Sequence, residues 1–133
     1  MPLLDDGDFR LTESSAILKY LADKVSSSAY PKDLKQRARV NEAMDWFNTN
    51  FYHAFGYGLC YPQILEHFKL ANPEWQKTAL DAARQRSARL LGLLDAKLER
   101  SGEPYLCGKD ITIADYFASG ILSAGETIGC KFA

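Results

Sequence analysis

Cysteine and histidine are scarce in this sequence, which has three of the first and two of the second in 133 residues. Cys60, Cys107 and Cys130 are widely spaced and form no C-x-x-C motif, so neither a disulfide framework nor a zinc site is expected. His53 and His67 have no acidic or cysteine partner at the spacing of metal ligands. We therefore predict reduced cysteines and no bound metal.

An excess of charge and a long apolar run are also lacking. The net charge of -1 and the pI of about 6.1 give no electrostatic basis for binding nucleic acid or an anionic membrane. No apolar segment approaches the roughly 18 residues of a membrane-spanning helix, and no basic segment followed by an apolar one opens the sequence. With 47% hydrophobic and 25% charged residues, we expect a globular, cytoplasmic protein that binds neither nucleic acid nor membrane.

The sequence opens with a pattern of hairpin and helix. Residues 2–11 (PLLDDGDFRL) indicate two short strands joined by an acidic turn. Thr12 is predicted to cap a helix that begins with Glu13 and Ser14. Unpaired first-turn amides, with the Glu13 carboxylate and the Ser14 hydroxyl, suit the carboxylate and ammonium of an amino-acid-like group. An ordinary helix start with Glu13 in solvent is the alternative that these residues leave open.

A change of composition divides the chain. The serine-rich segment 26–32 indicates a linker between a unit of residues 1–25 and a helical domain of residues 33–133. In that domain, apolar residues recur every three or four positions with no proline before Pro62, which predicts one long helix. Two glycines predict a loosened turn within 55–61.

Two further helices are predicted after this one. The first spans about 73–100 and ends at Ser101-Gly102. Its inner side is predicted to consist of Trp75, Leu80, Ala83, Ala88, Leu91, Leu94 and Leu98. The second begins at Thr112, where Thr112 and Asp115 have the spacing of a capping box. This helix is apolar nearly all round, so we expect it at the centre of a helical bundle.

Two motifs together resemble the cytosolic glutathione transferase (glutathione S-transferase) family. PLLDDGDFRLTESSAILKYLADK resembles the second half of its thioredoxin-like domain, and YLCG followed by ITIADY resembles the capping-box motif of its C-terminal domain. The resemblance covers nearly all of the chain. It implies a mainly α fold, in which a β-hairpin and a helix, a remnant of the thioredoxin-like α/β domain, precede an all-α helical domain. It also implies that Thr112 and Asp115 are structural residues.

The resemblance implies glutathione as a substrate and assigns residues to it. The Met1 backbone and a cis Pro2 would align the cysteinyl part of glutathione, and Glu13 with Ser14 would bind its γ-glutamyl end. Compared with the family, the sequence is truncated at both ends. It lacks the opening strand-helix-strand unit that carries the thiol-activating Ser, Tyr or Cys, so the catalytic residue is unknown and reduced activity is expected.

A dense aromatic stretch is the candidate pocket for the acceptor substrate. The family's acceptor site lies on the corresponding helix, and the residues predicted to line it are Phe51, Tyr52, Phe55, Tyr57 and Tyr61. Aromatic residues at helical spacing also fit a plain hydrophobic core, and this alternative stays open. Tyr52 or Tyr57 is a weaker candidate for donating a hydrogen bond to the glutathione thiolate.

The function predicted from the sequence is conjugation of the glutathione thiolate to small, apolar electrophiles. The alternative is a glutathione-binding or structural dimerisation module of the same fold that does not catalyse. A homodimer or higher homo-oligomer is expected, because the strand of Leu3 and Leu4 would present an unpaired edge. The family's usual dimer surface, formed by the helix after Glu13 and the helix after Asp33, would add a second contact.

Overall fold

The computed structural model describes residues 2–130, which begin with a two-stranded antiparallel sheet. β1 (Leu3–Asp6) pairs with β2 (Phe9–Thr12), so that Leu3 lies opposite Thr12 and Asp6 opposite Phe9. The connection is the two-residue turn Gly7-Asp8, and Gly7 has a φ of 64°, which glycine adopts without strain. The hairpin predicted from the sequence is therefore present, with a tighter turn.

The first helix begins two residues later than Thr12. α1 spans Ser14–Lys24, and Glu13 precedes it without making a capping hydrogen bond through its side chain. The prediction that Thr12 caps this helix is wrong, because Thr12 remains in β2, opposite Leu3. Glu13 is therefore the only residue between the end of β2 and the start of α1.

Asp6 joins the hairpin to α1. Its Oδ2 accepts hydrogen bonds from the Lys24 ammonium and, at 2.6 Å, from the Tyr20 hydroxyl. The hydrogen bond from Lys24, followed by that from Tyr20, lowers the pKa of the Asp6 carboxyl. The ring of Tyr20 also packs against that of Phe9, with centroids 5.2 Å apart. The hairpin and α1 thus form one structural unit.

The chain is helical without a break from Leu34 to Ile64. α2 (Leu34–Trp46) is capped by Asp33, which accepts from two first-turn amides at 3.0 and 3.1 Å. Two π-helical segments follow, Phe47–Phe51 and His53–Cys60, which we call the π tract, and α3 (Tyr61–Ile64) completes the run. The predicted long helix is present, but the loosening expected within 55–61 already begins at Phe47.

A 3₁₀ turn (Glu66–Phe68) leads to α4 (Pro73–Ser101), which packs against the π tract. Asn72 caps its start, and Gly102, with a φ of 63°, ends it in the left-handed conformation. The predicted inner face is wrong at two positions, since Trp75 is 70% exposed and Ala88 is also exposed. Ser87, which is 2% exposed, takes the place of Ala88, because the inward stripe follows steps of three and four residues through positions 80, 83, 87, 91, 94 and 98.

α5 (Ile113–Glu126) begins at a capping box. The Asp115 carboxylate accepts from the Thr112 amide at 2.8 Å, and the Thr112 hydroxyl accepts from the Ala114 amide at 3.3 Å. The second carboxylate oxygen of Asp115 accepts from the Leu106 amide at 2.9 Å, which fastens the preceding loop to the helix start. The two oxygens of Asp115 thus join the start of α5 to the loop that precedes it.

The hydrophobic core lies where the π tract meets α2 and α5. Phe47, Phe51 and Phe55 are buried, and their rings pack one against the next. The ring centroids of Phe47 and Phe51 are 5.7 Å apart, and those of Phe51 and Phe55 are 4.9 Å apart. α5 supplies Ala114 and Phe117 to the same core. The predicted mainly α fold with a small hairpin is confirmed. Residues 2–130 contain no helix whose length and hydrophobicity would suit a membrane span.

The segment predicted as a linker packs against the helical part. Tyr30 is buried, and its hydroxyl donates to the Asn41 side chain at 3.0 Å. The Ala29 carbonyl accepts from the Ile113 amide at 2.9 Å, at the start of α5. These contacts fix how the hairpin and α1 approach the bundle. The domain boundaries at residues 25 and 33 stay a prediction.

Candidate functional site

An open groove of about 470 Å³ lies between the hairpin and α1 on one side and the helical bundle on the other. Four residues of the N-terminal part line it: Pro2, Ser14, Ile17 and Leu18. Two tyrosines from the run of helix around the π tract and five residues of α5 complete the lining: Tyr52, Tyr61, Tyr116, Phe117, Gly120, Ile121 and Ala124. The groove therefore combines an apolar surface with four hydroxyl groups and no charged side chain among the described residues that line it.

The start of α1 has an unusual backbone. Glu13 has φ 69° and ψ 113°, outside the regions that residues with a side chain prefer. A backbone of this kind is unfavourable by about 1–3 kcal/mol and is often found where a site requires it. The Glu13 carbonyl accepts from the Ile17 amide at 2.9 Å, which is the first bond of the helix. Ser14, the first residue of α1, lines the groove, and the first-turn amides of a helix have no partner within it.

Only some of the residues predicted to bind glutathione line the groove. Pro2 and Ser14 line it. Glu13 is exposed and adjoins Ser14 in the chain, but it is not among the lining residues. Met1 lies outside the described residues, and so does the peptide bond between Met1 and Pro2 that the resemblance makes cis.

Tyr52 and Tyr61 supply two of the four hydroxyl groups of the groove wall. Their hydroxyl groups are hydrogen-bonded to each other, although the residues are nine positions apart. Burial, followed by the hydrogen bond with Tyr61, raises the pKa of the Tyr52 phenol above its usual value near 10. Tyr52 therefore stays protonated at neutral pH and is a hydrogen-bond donor rather than a base.

The other three predicted acceptor-pocket residues lie elsewhere. Phe51 and Phe55 are 0% and 1% exposed and belong to the core, as the alternative interpretation of the aromatic stretch had it. Tyr57 is 46% exposed and does not line the groove, but its ring packs against Tyr52 and Tyr61 with centroids 5.0 and 5.2 Å away. The aromatic stretch thus divides into a buried phenylalanine face and a tyrosine face beside the groove.

The contribution of α5 to the groove is absent from the sequence-based prediction. Phe117 and Ile121 are buried residues that also close the groove, and Tyr116 is a half-exposed tyrosine at the same site. The signal in the sequence was a tyrosine on a helix that is otherwise apolar nearly all round. A helix that is apolar nearly all round has more than one face that can contact a partner, and one face of α5 lines the groove.

The cysteines and histidines provide no reactive centre near the groove. Cys60 is fully buried, and burial, with a smaller effect of Cys130, raises the pKa of its thiol to about 11. Burial also raises the pKa of the Cys107 thiol. His53 and His67 are exposed. In the described part of the chain, no three or more His, Cys, Asp or Glu side chains are grouped as metal ligands would be.

A family model described as "Glutathione S-transferase, C-terminal domain" matches residues 24–133. Human glutathione S-transferase theta-2 is 39% identical over 124 residues, which cover 89% of this chain and 48% of that protein. The chain spans about half the length of the curated relatives that it matches.

Solved structures give the same picture. A human glutathione transferase theta-2 in complex with glutathione and an unknown ligand superposes with a TM-score of 0.84 at 34% identity, covering 98% of this chain and 53% of that one. The theta class glutathione S-transferase of Xanthomonas axonopodis pv. citri, with glutathione bound, has a TM-score of 0.78 at 28% identity, covering 100% of this chain and 61% of that one. Both similarities extend over the hairpin, α1 and the helical bundle.

Proposed function

The chain belongs to the glutathione S-transferase family. We propose that it functions as a glutathione transferase similar to those of the theta class. In this reaction the thiolate sulfur of glutathione attacks an electrophilic carbon of an apolar substrate. A carbon–sulfur bond forms, and the leaving group departs with the electron pair of the broken bond. Relatives solved with glutathione support glutathione as the substrate that the chain binds.

The observation that supports this proposal best is the composition of the groove. Ser14, at the start of α1, lies in the same groove as Tyr52, Tyr61 and Phe117 of the helical bundle. A peptide-like thiol held at the start of α1 would therefore meet an apolar acceptor bound against the bundle. Such proximity is one of the ways in which an enzyme accelerates a bimolecular reaction.

We assign the roles as follows. The Glu13 carboxylate pairs with the ammonium of the γ-glutamyl group, and the Ser14 hydroxyl and the adjacent amides donate hydrogen bonds to its carboxylate. The Met1 backbone and Pro2 align the cysteinyl part. Tyr52 and Tyr61, with the apolar residues of α5, contact the acceptor. The strained backbone of Glu13 supports a role in binding, because residues in such conformations are concentrated at functional sites.

Calorimetry with glutathione tests the Glu13 assignment. Glu13→Ala leaves the ligand ammonium unpaired and should weaken binding by about 1.5–3 kcal/mol. Glu103→Ala is the matched control, because Glu103 is also exposed but lies after α4, away from the groove. Equal affinities for the two variants would show that Glu13 does not bind glutathione.

A conjugation assay tests the activity. The purified chain is mixed with glutathione and an activated aryl halide, and formation of the thioether is followed by absorbance. Glutathione binding together with conjugation above the uncatalysed rate is the expected result. Binding without any conjugation would instead favour a glutathione-binding module of the same fold.

We extend the proposal to a cytoplasmic homodimer. Apolar side chains are exposed on and beside α1 and α2, among them Leu21, Val25 and Leu34, and association would cover them. A dimer formed by two such faces is closed by a two-fold axis. Light scattering should give twice the chain mass of 14.9 kDa, and the monomer mass at micromolar concentration would contradict this.

The state of the cysteines supports the cytoplasmic location. All three are free in the structure, which favours a reducing compartment.

A further inference from the structure

The hydrogen bond between Tyr52 and Tyr61 depends on the π tract. Nine residues make about two and a half turns of an α-helix with its 3.6 residues per turn, which would place the two tyrosines on opposite faces. The segment His53–Cys60 between them is π-helical, and its i→i+5 bonds put more residues into each turn. Both side chains therefore reach the same groove. π-Helical segments are frequent at functional sites for this kind of reason.

The two hydroxyl groups have a proton left over. A phenol donates one hydrogen bond, so the bond between Tyr52 and Tyr61 uses one of their two O–H groups. An open chain of hydrogen-bonded hydroxyl groups always has one more O–H than it has internal bonds. The remaining O–H is available to a ligand in the groove, and it is strengthened because hydroxyl groups in a chain polarise one another.

The position of the Tyr52 ring is fixed by a glycine. The ring lies directly over Gly56, where the Cβ of any other residue would come within 2.5 Å of the ring atom Cε2. Gly56 is buried beneath the ring, so a side chain at this position could be accommodated only if the Tyr52 ring moved. Close packing of the ring on Gly56 thus helps to place the Tyr52 hydroxyl in the groove wall.

We propose that the Tyr52–Tyr61 pair determines acceptor specificity by donating a hydrogen bond to an oxygen atom beside the electrophilic carbon. This inference rests on the proposed glutathione transferase function and names its substrate class: electrophiles such as α-halo ketones, with an apolar body and a carbonyl next to the reacting carbon. The thiolate displaces the halide, which leaves with its electron pair. The carbonyl oxygen gains negative charge as the carbon–sulfur bond forms, and the phenolic O–H stabilises it. Gly56 is a positioning residue for this donor.

A matched pair of glutathione conjugates tests the inference by binding alone. S-phenacylglutathione and S-(2-phenylethyl)glutathione differ only in a carbonyl group that replaces a methylene group. The whole chain should bind the phenacyl conjugate roughly three- to tenfold more tightly, the range that one net hydrogen bond provides. In the double variant Tyr52→Phe/Tyr61→Phe the ratio of the two affinities should fall to about one. The control Tyr105→Phe, outside the groove, should keep the ratio of the unmodified chain.

Gly56→Ala provides a second test, in which both hydroxyl groups are retained. It should also remove the preference for the carbonyl, because the added methyl displaces the Tyr52 ring, and circular dichroism reports whether this variant folds. An unchanged ratio in the double Phe variant overturns the inference, and so does loss of the ratio in Tyr116→Phe alone, which would identify a different donor. Either result leaves the proposed function intact, since tight binding of the phenylethyl conjugate supports it. Failure of both conjugates to bind would overturn the glutathione assignment and this inference together.

Discussion

The π tract and the first residue of α3 present two aromatic faces with different environments. Phe47, Phe51 and Phe55 form a ring series that is sealed in the core. Tyr52 and Tyr61 on the other face are half-buried and border the groove. Residues of the two faces alternate along one helical run, so the position of a residue in the sequence does not show to which face it belongs.

The difference between the two faces is a hydroxyl group and its hydrogen bond. A buried phenol requires a partner for its O–H, whereas a phenyl ring requires only packing. The bond between Tyr52 and Tyr61 gives each hydroxyl group a partner, one as donor and the other as acceptor, and leaves one O–H for a ligand. The phenylalanine face therefore stabilises the fold, and the tyrosine face is free to bind a ligand.

The strongest test of the comparison changes one aromatic residue on each face. Phe51→Ala should lower the free energy of unfolding by about 3–5 kcal/mol, because it opens a cavity beside Phe47 and Phe55. Tyr52→Phe keeps the ring and should change it by about 1 kcal/mol or less. Urea denaturation measures both. Similar losses in the two variants would mean that both faces belong to the core.

Asp115→Ala tests whether α5 supports both faces. The variant leaves the amides of Thr112 and Leu106 without their acceptor, and it should lower the free energy of unfolding by about 1–3 kcal/mol. Asp110→Ala is a suitable control, since Asp110 is exposed and lies in the same loop. A variant as stable as the control would contradict the role of the capping box in the folded state.

The pH dependence of stability should distinguish Cys60, on the buried side, from Tyr52. Burial raises the pKa of the folded Cys60 thiol to about 11, so above pH 9 the unfolded chain loses this proton first. Unfolding then becomes easier as the pH rises, by on the order of 1–2 kcal/mol between pH 9 and 11. The raised pKa of Tyr52 acts in the same direction above pH 10. Thermal unfolding of Cys60→Ala should show a smaller slope between pH 9 and 10, and an identical slope would refute this cause.

Tyr57→Phe should have the smallest effect. Tyr57 is 46% exposed and outside the groove lining, so loss of its hydroxyl should change the free energy of unfolding by less than about 0.5 kcal/mol. The affinity for S-phenacylglutathione should also stay the same. A clear loss of that affinity would show that the tyrosine face extends to Tyr57 and that its hydroxyl takes part in the donor chain.

Much of the fold could be predicted from local sequence signals. The hairpin follows from Gly7 in an acidic turn, α4 from Pro73 and Gly102, and α5 from Thr112 and Asp115. Each of these signals acts within a few residues, through a cap, a turn or a fixed φ. The start of α1 was misplaced because Thr12 satisfies the rules for a cap and for a strand, and pairing with Leu3 decides between them.

The candidate site was harder to predict, because it depends on the period of one helix. An α-helical pattern puts Tyr52 and Tyr61 on opposite faces, and a sequence with aromatic residues at spacings of four, five and nine does not state which period applies. The π tract begins at Phe47, far from the glycines that indicated loosening. The part of the groove formed by α5 likewise depends on which neighbours cover that helix, which only the tertiary structure determines.

The two hydrogen bonds of Asp115 also bear on how the chain folds. They link Leu106 and Thr112 to one carboxylate across a separation of nine residues or fewer, so closing this loop loses little chain entropy. Such a local contact can form before α5 meets α2 and the π tract, which are both distant from α5 in sequence. If it belongs to the folding nucleus, a chevron plot of Asp115→Ala will show slower refolding with little change in the unfolding rate. A single side chain would then set the rate at which the helix shared by core and groove arrives in place.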